Sequence, residues 1–254
     1  MHGSSYDKMT SFFRVYRDRF PLHDGKTRIL EIGAKSYQGQ DTYRGLVDDT
    51  RETYTGLDLE SGKNVDIVPA SMFVWDEIAD DSFDVCISGQ TFEHNPYFWV
   101  TACEIARVLV PGGFVCIIAP GAGAVHRYPV DCYRFYPDSW AALAALMGLD
   151  VEEVYFETDE MALRVPGGRW RDSMMIARKP VLDAGAAALA AQRRDQVTRP
   201  FREGFGTFDA VGHRHGPAVG DYTSRTARNG MRDFWMKVGR RIAPFGVLDI
   251  YRGR

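Results

Sequence analysis

Two acidic residues at the ends of short apolar runs, with a glycine turn between them, carry the clearest chemistry in this sequence. The segment ILEIGAKSYQG spans residues 29–39, and Asp58 follows in the segment YTGLDLE. Glycine lets the backbone approach a ligand closely. A carboxylate at a strand tip can accept hydrogen bonds from both hydroxyls of a ribose. This pairing predicts a turn that binds an adenosine-containing cofactor.

A second group of reactive side chains lies in the segment HRYPVDCYRFY, where His126, Asp131, Tyr133 and Arg134 fall within nine residues. An imidazole or a carboxylate there could take a proton from a substrate hydroxyl. The guanidinium could bind an anionic group such as a phosphate or a carboxylate. Alternatively, Asp131 and Arg134 form an internal salt bridge that braces the loop. The residue types leave both alternatives open.

The pair Glu93–His94 offers a further candidate base, because an imidazole with a pKa near 6.5 suits proton removal at neutral pH. The alternative, which we favour, is that this pair begins or braces the following helix. His213 and His215 form the motif GHRHG, but no carboxylate neighbours them. A basic loop explains these two histidines better than a metal site does. No metal site is predicted from the sequence.

The apolar pattern predicts the elements that position these side chains. Strands alternate with helices, which argues for a parallel, doubly wound sheet whose ligands bind beyond the C-terminal strand ends. The motifs above fall mostly at those ends. Strands are predicted at residues 27–32, 53–57, 64–68, 82–88, 114–119, 151–156 and 173–177. Helices are predicted at residues 8–20, 41–51, 73–79, 96–109, 137–147, 181–195 and 224–242.

The composition of the 254 residues narrows the class of protein. A hydrophobic fraction of 45% and a charged fraction of 26% are ordinary for a globular protein, and the net charge of -3 gives no argument for nucleic-acid binding. No apolar run approaches the roughly 20 residues that span a bilayer, and the first residues do not resemble a secretory signal. The four cysteines lack metal-ligand spacing, which indicates reduced thiols. We therefore expect a cytoplasmic protein.

The chain resembles the class I S-adenosylmethionine-dependent methyltransferases, near the group that acts on small molecules and sugars. The resemblance covers roughly residues 27–178, and its signposts are ILEIGAKSYQG, YTGLDLE, SFDVCISGQTFEHNPYFW and EIARVLVPGGFVCIIAPG. It implies an α/β fold with a doubly wound, Rossmann-like sheet of seven strands. The change in composition after about residue 179 adds a C-terminal helical or loop extension. The expected domains are a lid helix at 1–26, a cofactor-binding domain at 27–180 and a basic extension at 181–254.

The resemblance also implies roles for individual residues. Lys35 stands where the family usually has a second glycine, so the path of the loop is expected to differ. The family often has Asp followed by Ala after the third strand, whereas this chain has Pro69-Ala70-Ser71-Met72, so Ser71, backbone groups and Met72 are expected to hold the adenine. The residue types, rather than the resemblance, make His126, Asp131 and His94 the candidate catalytic residues and Tyr133, Arg134 and Glu93 the candidate substrate contacts. The implied cofactor contacts are Glu31, Gly33, Ala34, Lys35, Asp58, Leu59, Ser71, Met72, Ser88, Gly89 and Gln90.

The implied activity is transfer of a methyl group from S-adenosylmethionine to an oxygen of a sugar, a glycan or a natural-product small molecule. Polysaccharide or natural-product biosynthesis would be the setting, and a homodimer is left open. Methylation of a small-molecule nitrogen and a non-catalytic, methyltransferase-like binding subunit are the alternatives. A nicotinamide-dependent oxidoreductase is a further alternative, but its usual glycine triplet is absent, since the next glycine after Gly33 is Gly39.

Overall fold

The computed structural model describes residues 3–37, 42–158 and 168–205, and all of these belong to one compact unit. The predicted helix at 224–242 lies outside the described residues. So do His213, His215 and most of the basic segment that begins near residue 199.

A six-stranded mixed sheet forms the centre of the described residues. Its order is β2-β1-β3-β4-β6-β5, and the first four of these strands are parallel. The direction in which strands are added reverses between β1 and β3, so their C-terminal ends form the crevice where ligands bind in such sheets. The strands are β1 (Thr27–Ile32), β2 (Glu52–Leu57), β3 (Phe83–Gly89), β4 (Leu109–Pro120), β5 (Asp150–Phe156) and β6 (Asp172–Arg178).

The sheet differs from the predicted one in strand number and in direction. The predicted strand at 64–68 contributes only an isolated bridge to β2, so the described residues hold six strands and not seven. Asn64 has a left-handed backbone φ of 71°, and the Asp66 carboxylate accepts the Gly56 N–H at 2.8 Å. These local contacts replace a strand ladder. β6 is antiparallel to both β4 and β5, which an apolar strand pattern does not record.

Four α-helices flank the described sheet, and none of them is long and apolar enough to cross a membrane. Two predicted helices do not form: within the predicted helix at 41–51, the described residues 42–51 contain only a short 3₁₀ turn, and residues 73–79 form turns. In the second segment, Arg107 donates to the carbonyls of Trp75 and Ile78 at 2.8 and 2.7 Å. A tertiary contact therefore uses those backbone acceptors. The helices are α1 (Gly3–Tyr16), α2 (Phe98–Val108), α3 (Pro137–Met147) and α4 (Ala184–Arg202).

Both faces of the sheet are buried, which gives the three-layer arrangement of α/β folds. The first face packs against α1, whose Phe12 and Phe13 join Ile29 and Ile87 in one apolar cluster. The second face packs against α2 and α3, with the fully buried Trp140 in a separate cluster. The aromatic residues of α1 therefore belong to the core.

Helix α4 packs against α2 through a buried charge cluster. Arg202 donates to the Glu104 carboxylate at 2.8 Å, and Arg107 donates to the same carboxylate at 2.7 Å. Glu104 is only 1% exposed, so both guanidinium groups compensate the cost of burying its charge. The first helix of the predicted C-terminal extension is thus in contact with the core.

Candidate active site

The predicted glycine turn and the strand-end acid lie side by side. The N–H groups of Gly33 and Ala34 both donate to the carbonyl of Leu57, at 2.9 and 3.1 Å. The N–H of Lys35 donates to Asp58 Oδ2 at 3.0 Å. Gly33 has a φ of 79°, a left-handed conformation that glycine adopts without steric cost. These hydrogen bonds therefore hold the end of β1 against the end of β2.

The carboxylate of Asp58 is held in place but retains acceptor capacity. Its two oxygens accept the N–H groups of Lys35 and Glu60, at 3.0 and 3.4 Å, and the residue is 9% exposed. A carboxylate offers about four acceptor sites, so ribose hydroxyls can still be bound. Burial raises the pKa of Asp58, because desolvation disfavours its charged form. Hydrogen bonds to a bound ribose would offset that cost.

Lys35, at the position where the family usually has glycine, directs its side chain towards Glu60. Its ammonium group lies 2.7 Å from Glu60 Oε2, and its aliphatic stem lies beside Gly62. The contact with Glu60 explains how a long side chain is accommodated next to the cofactor turn.

Glu31 is buried at the end of β1, where desolvation favours the neutral form of its carboxyl group. The hydroxyl of Tyr54 donates to Glu31 Oε2 at 2.7 Å. Desolvation by burial raises the pKa of this carboxyl to about 8, although the hydrogen bond from Tyr54 opposes the shift. The side chain predicted to contact the cofactor is thus already engaged inside the protein.

The raised pKa of Glu31 gives a prediction for stability against pH. Between its usual pKa of 4.5 and the folded value of about 8, the folded state binds more protons than the unfolded state. Stability should therefore fall as pH rises through this window, by at most about 1.4 kcal/mol per pH unit for one group. We expect Glu31→Gln to flatten this dependence. Chemical denaturation at pH 5 and pH 8 measures it, and an unchanged slope in the variant would assign the dependence to other groups.

The end of β3 lies beside the cofactor turn. Ser88 pairs with Ile32 of β1 and donates to its carbonyl at 3.0 Å. Gly89 packs so closely against Tyr43 that a Cβ atom there would lie 1.9 Å from the phenol oxygen. Gln90 has a φ of 58°, and its amide donates to Asp172 at 3.1 Å. Packing against neighbouring elements therefore determines the shape of this segment.

The segment predicted to hold the adenine starts beside Asp58, whose N–H donates to the carbonyl of Ile67 at 3.2 Å. The Ser71 hydroxyl accepts N–H groups of the following turn, at 3.2 Å from Phe73. Met72 packs beside that turn, and Leu59 is 41% exposed at the end of β2. Ser71 thus has a structural partner of its own.

The loop after β4 is braced by an ion pair, the second of the two alternatives left open by the sequence. Arg134 donates to both oxygens of Asp131, at 2.6 and 2.8 Å, and to the carbonyl of Ala124 at 2.9 Å. Asp131 Oδ2 also accepts the backbone N–H of His126 at 2.7 Å and lies 3.4 Å from its Nδ1. Arg134 holds the pKa of Asp131 below its usual range, against the opposing effect of burial.

Glu93, His94 and His126 converge where this loop meets the end of β3. His94 Nδ1 lies 2.5 Å from the carbonyl of Val130, and His94 Nε2 lies 3.5 Å from Glu93 Oε1. Burial raises the pKa of Glu93 to about 8 and lowers the pKa of His94 to about 4. The pair is close enough for an ion pair, but burial favours the neutral form of each group.

A groove of about 210 Å³ opens beside the same loop. Tyr133 lines it and is anchored by its hydroxyl, which donates to the carbonyl of Pro96 at 2.8 Å. Trp170 lies close by, with its ring 4.4 Å from the His126 ring. The lining residues are Gly123, Val125, Asp131, Cys132, Tyr133 and Arg134.

Comparison with known families decides the class of this domain. Residues 26–117 match the family described as "Methyltransferase domain", and they contain the cofactor turn, Asp58 and the Glu93–His94 pair. This chain carries an S-adenosylmethionine-dependent methyltransferase domain. The methyltransferase matches no curated protein in a direct comparison.

Solved structures share the fold of the methyltransferase at low sequence identity. One is the 1,6-didemethyltoxoflavin-N1-methyltransferase of Burkholderia thailandensis, solved with S-adenosylhomocysteine. It is 16% identical, and the match covers 70% of this chain and 79% of that one at a TM-score of 0.51. The CurJ carbon methyltransferase is 12% identical over 70% of this chain and 54% of its own, at a TM-score of 0.52. The 4+2 cyclase SpnF is 18% identical over 69% and 81%, at a TM-score of 0.50.

Two features of the candidate site have no signal in the local sequence. Trp170 reaches His126 from a segment 44 residues away, and Asp172 reaches Gln90 across the sheet. In the sequence, Glu93 stands only as half of a local pair with His94. Only the fold brings it beside His126, which lies on a different loop.

Proposed function

We propose that this methyltransferase methylates a hydroxyl oxygen of a sugar, a glycan or a natural-product small molecule. The observation that carries the proposal is the convergence of His94, His126 and Asp131 beside the groove at the end of β4. An oxygen nucleophile must lose its proton as it attacks, and imidazole and carboxylate groups suit that task. Polysaccharide or natural-product biosynthesis is the setting that fits such an acceptor.

The cofactor is assigned to the crevice at the ends of β1, β2 and β3. The turn at Gly33, which is held by backbone hydrogen bonds, fits the methionine part of the cofactor. The Asp58 carboxylate can accept further hydrogen bonds and fits the ribose. Ser71 and Met72 are proposed to lie at the adenine. When bound, S-adenosylmethionine supplies an electrophilic methyl group on a sulfonium. The contribution of the protein is to hold the acceptor oxygen in line with that group.

Among the three candidate catalytic residues, we assign ionisation of the acceptor hydroxyl to His126. Asp131 is paired with Arg134 through both oxygens, and Nδ1 of His94 is paired with the carbonyl of Val130. The His126 side chain is 28% exposed, so it can reach a bound acceptor. Arg134 then acts as a positioning residue through Asp131, and Tyr133 lines the groove.

The variant His126→Ala tests this assignment. We expect turnover to fall by about 100-fold to 10,000-fold, as for loss of an acid–base group. Affinity for S-adenosylhomocysteine, measured by calorimetry, should change less than about twofold because the cofactor crevice is left intact. His23→Ala is the matched control, since His23 is an exposed histidine outside the groove. Near-normal turnover in His126→Ala would transfer the role to another group.

The acceptor itself is identified by a product assay. The purified protein is incubated with methyl-labelled S-adenosylmethionine and a panel of sugar nucleotides, glycans and phenolic or amine small molecules. Mass spectrometry then locates the transferred methyl group. A methyl group on oxygen supports the proposal, whereas a methyl group on nitrogen would replace it with the N-methyltransferase alternative. Cofactor binding without any methylated product across the panel would favour a binding subunit.

A further inference from the structure

Three side chains outside the cofactor crevice form a compact set of potential metal ligands. Glu93 and His94 follow β3, and His126 belongs to the loop after β4. One ligand atom from each lies within 4.8 Å of the other two. Two imidazoles and one carboxylate form a donor set that binds transition-metal ions in many enzymes.

The hydrogen bond of His94 orients this residue as a ligand. A carbonyl oxygen can only accept, so Nδ1 of His94 carries the proton donated to Val130. The lone pair then lies on Nε2, the atom that faces Glu93 Oε1 at 3.5 Å. A backbone carbonyl behind the distal nitrogen is the usual second contact of a metal-binding histidine. The tautomer and the ring orientation are therefore those that a cation requires.

Glu93 supplies the second, independent observation. Its side chain is 0% exposed, and neither carboxylate oxygen has a hydrogen-bond partner among the described residues. The buried Nδ1 of His126 also lacks a hydrogen-bond partner within the described part of the chain. Protonation of Glu93 would not remove the problem, because an acid O–H in the interior also needs a partner. A cation between these atoms would satisfy them together.

We propose that Glu93, His94 and His126 bind a divalent transition-metal ion, with Zn²⁺ as the first choice. Ligand bonds of 2.0–2.2 Å place the ligand atoms of a tetrahedral site roughly 3.4 Å apart. The 3.5 Å between His94 Nε2 and Glu93 Oε1 matches this spacing, and small side-chain rotations would bring His126 within it. Mg²⁺ and Ca²⁺ prefer oxygen ligands, so the two nitrogens disfavour them.

Three protein ligands leave one position open, the arrangement of catalytic zinc sites. Asp131 lines the acceptor groove and accepts the backbone N–H of His126, so the cluster is next to a groove residue and its open position suits an oxygen of the acceptor. A bound cation lowers the pKa of a coordinated hydroxyl. His126 would then promote ionisation as a ligand. This role of the metal in ionisation rests on the proposed O-methylation, whereas metal binding itself does not. The proposed metal site also revises the expectation from the sequence that there is none.

The test is a calorimetric titration of the full-length, chelator-treated protein with ZnCl₂, together with metal content after dialysis. We expect one tight site per chain, with affinity at least about 100-fold weaker in Glu93→Gln, His94→Ala and His126→Ala. The double variant His213→Ala/His215→Ala is the matched control and should keep the tight site. Circular dichroism shows whether each cluster variant folds, and the folded variants carry the test. As a second measurement, Co²⁺ bound to the wild type should show the visible spectrum of four-coordinate nitrogen and oxygen ligation.

Two results would overturn the metal site. One is Zn²⁺ binding that is unchanged in all folded cluster variants, and the other is binding that disappears with His213 and His215. Because the titration contains no acceptor, its failure leaves the proposed O-methylation intact. Conversely, tight Zn²⁺ binding with methyl transfer to nitrogen would retain the site and reject the proposed acceptor. Methyl transfer that a chelator abolishes and Zn²⁺ restores would show that the metal site takes part in the proposed O-methylation.

Discussion

Gly33→Ala is expected to lower the free energy of unfolding by about 3 kcal/mol and to abolish measurable cofactor binding. A left-handed backbone conformation costs a non-glycine residue about 1–2 kcal/mol, and the φ of Gly33 is 79°. In addition, the new Cβ would lie 2.1 Å from the side-chain oxygen of Thr91. Relief of that overlap costs typically about 1–3 kcal/mol. The displacement that relieves the overlap would move the turn that is hydrogen-bonded to Asp58, so the cofactor should no longer bind.

Gly25→Ala separates the two contributions. Gly25 has a similar φ of 81°, but a Cβ there would meet nothing within 4 Å. This variant should lose only about 1–2 kcal/mol and should retain cofactor affinity. Urea denaturation and titration with S-adenosylhomocysteine measure both quantities. Equal effects of the two substitutions would show that the close approach to Thr91 does not shape the turn.

Asp58→Asn is expected to weaken binding of S-adenosylhomocysteine by about 10-fold to 100-fold. Hydrogen bonds to a charged group contribute about 1.5–3 kcal/mol, and the carboxylate is assigned to the ribose hydroxyls. Asparagine can still accept the N–H of Lys35, so the turn should be retained while the charge and one acceptor are lost. The measurement is calorimetric titration of the folded variant.

Asp24→Asn serves as the control for Asp58→Asn, because the Asp24 side chain is 94% exposed and lies outside the crevice. Its affinity for S-adenosylhomocysteine should equal that of the wild type. The assignment of Asp58 to the ribose fails if both variants bind equally well. Reduced affinity with a normal unfolding transition supports it, since a distorted turn would also lower stability.

Local patterns predicted the elements whose residues are locally constrained. Helix α3 was predicted at its observed bounds, because Pro137 can begin a helix and Gly148, at a φ of 73°, can end one. The apolar runs of β1 and β3 were also sufficient to predict these strands, because strands buried on both faces of a sheet are near-continuous apolar runs. The predicted helix at 73–79 failed because Arg107, distant in sequence, binds its carbonyl groups.

The sequence by itself determined the class of chemistry. The glycine turn, Asp58 and the segment through Glu93–His94 are local motifs, so the cofactor could be inferred from them and from the family that they resemble. Spacing along the chain is enough for such motifs, because adjacent strand ends hold them close together in the fold.

Only the tertiary structure decided how the second loop meets the first. The pairing of Asp131 with Arg134 was one of two open alternatives, and the burial of Glu93 beside His126 was not foreseen. The burial of the Glu93 side chain, and its lack of a hydrogen-bond partner among the described residues, depend on everything that packs around it. That information is spread over the segment after β3 and the loop after β4, which includes Val130, so no local pattern of residue types contains it.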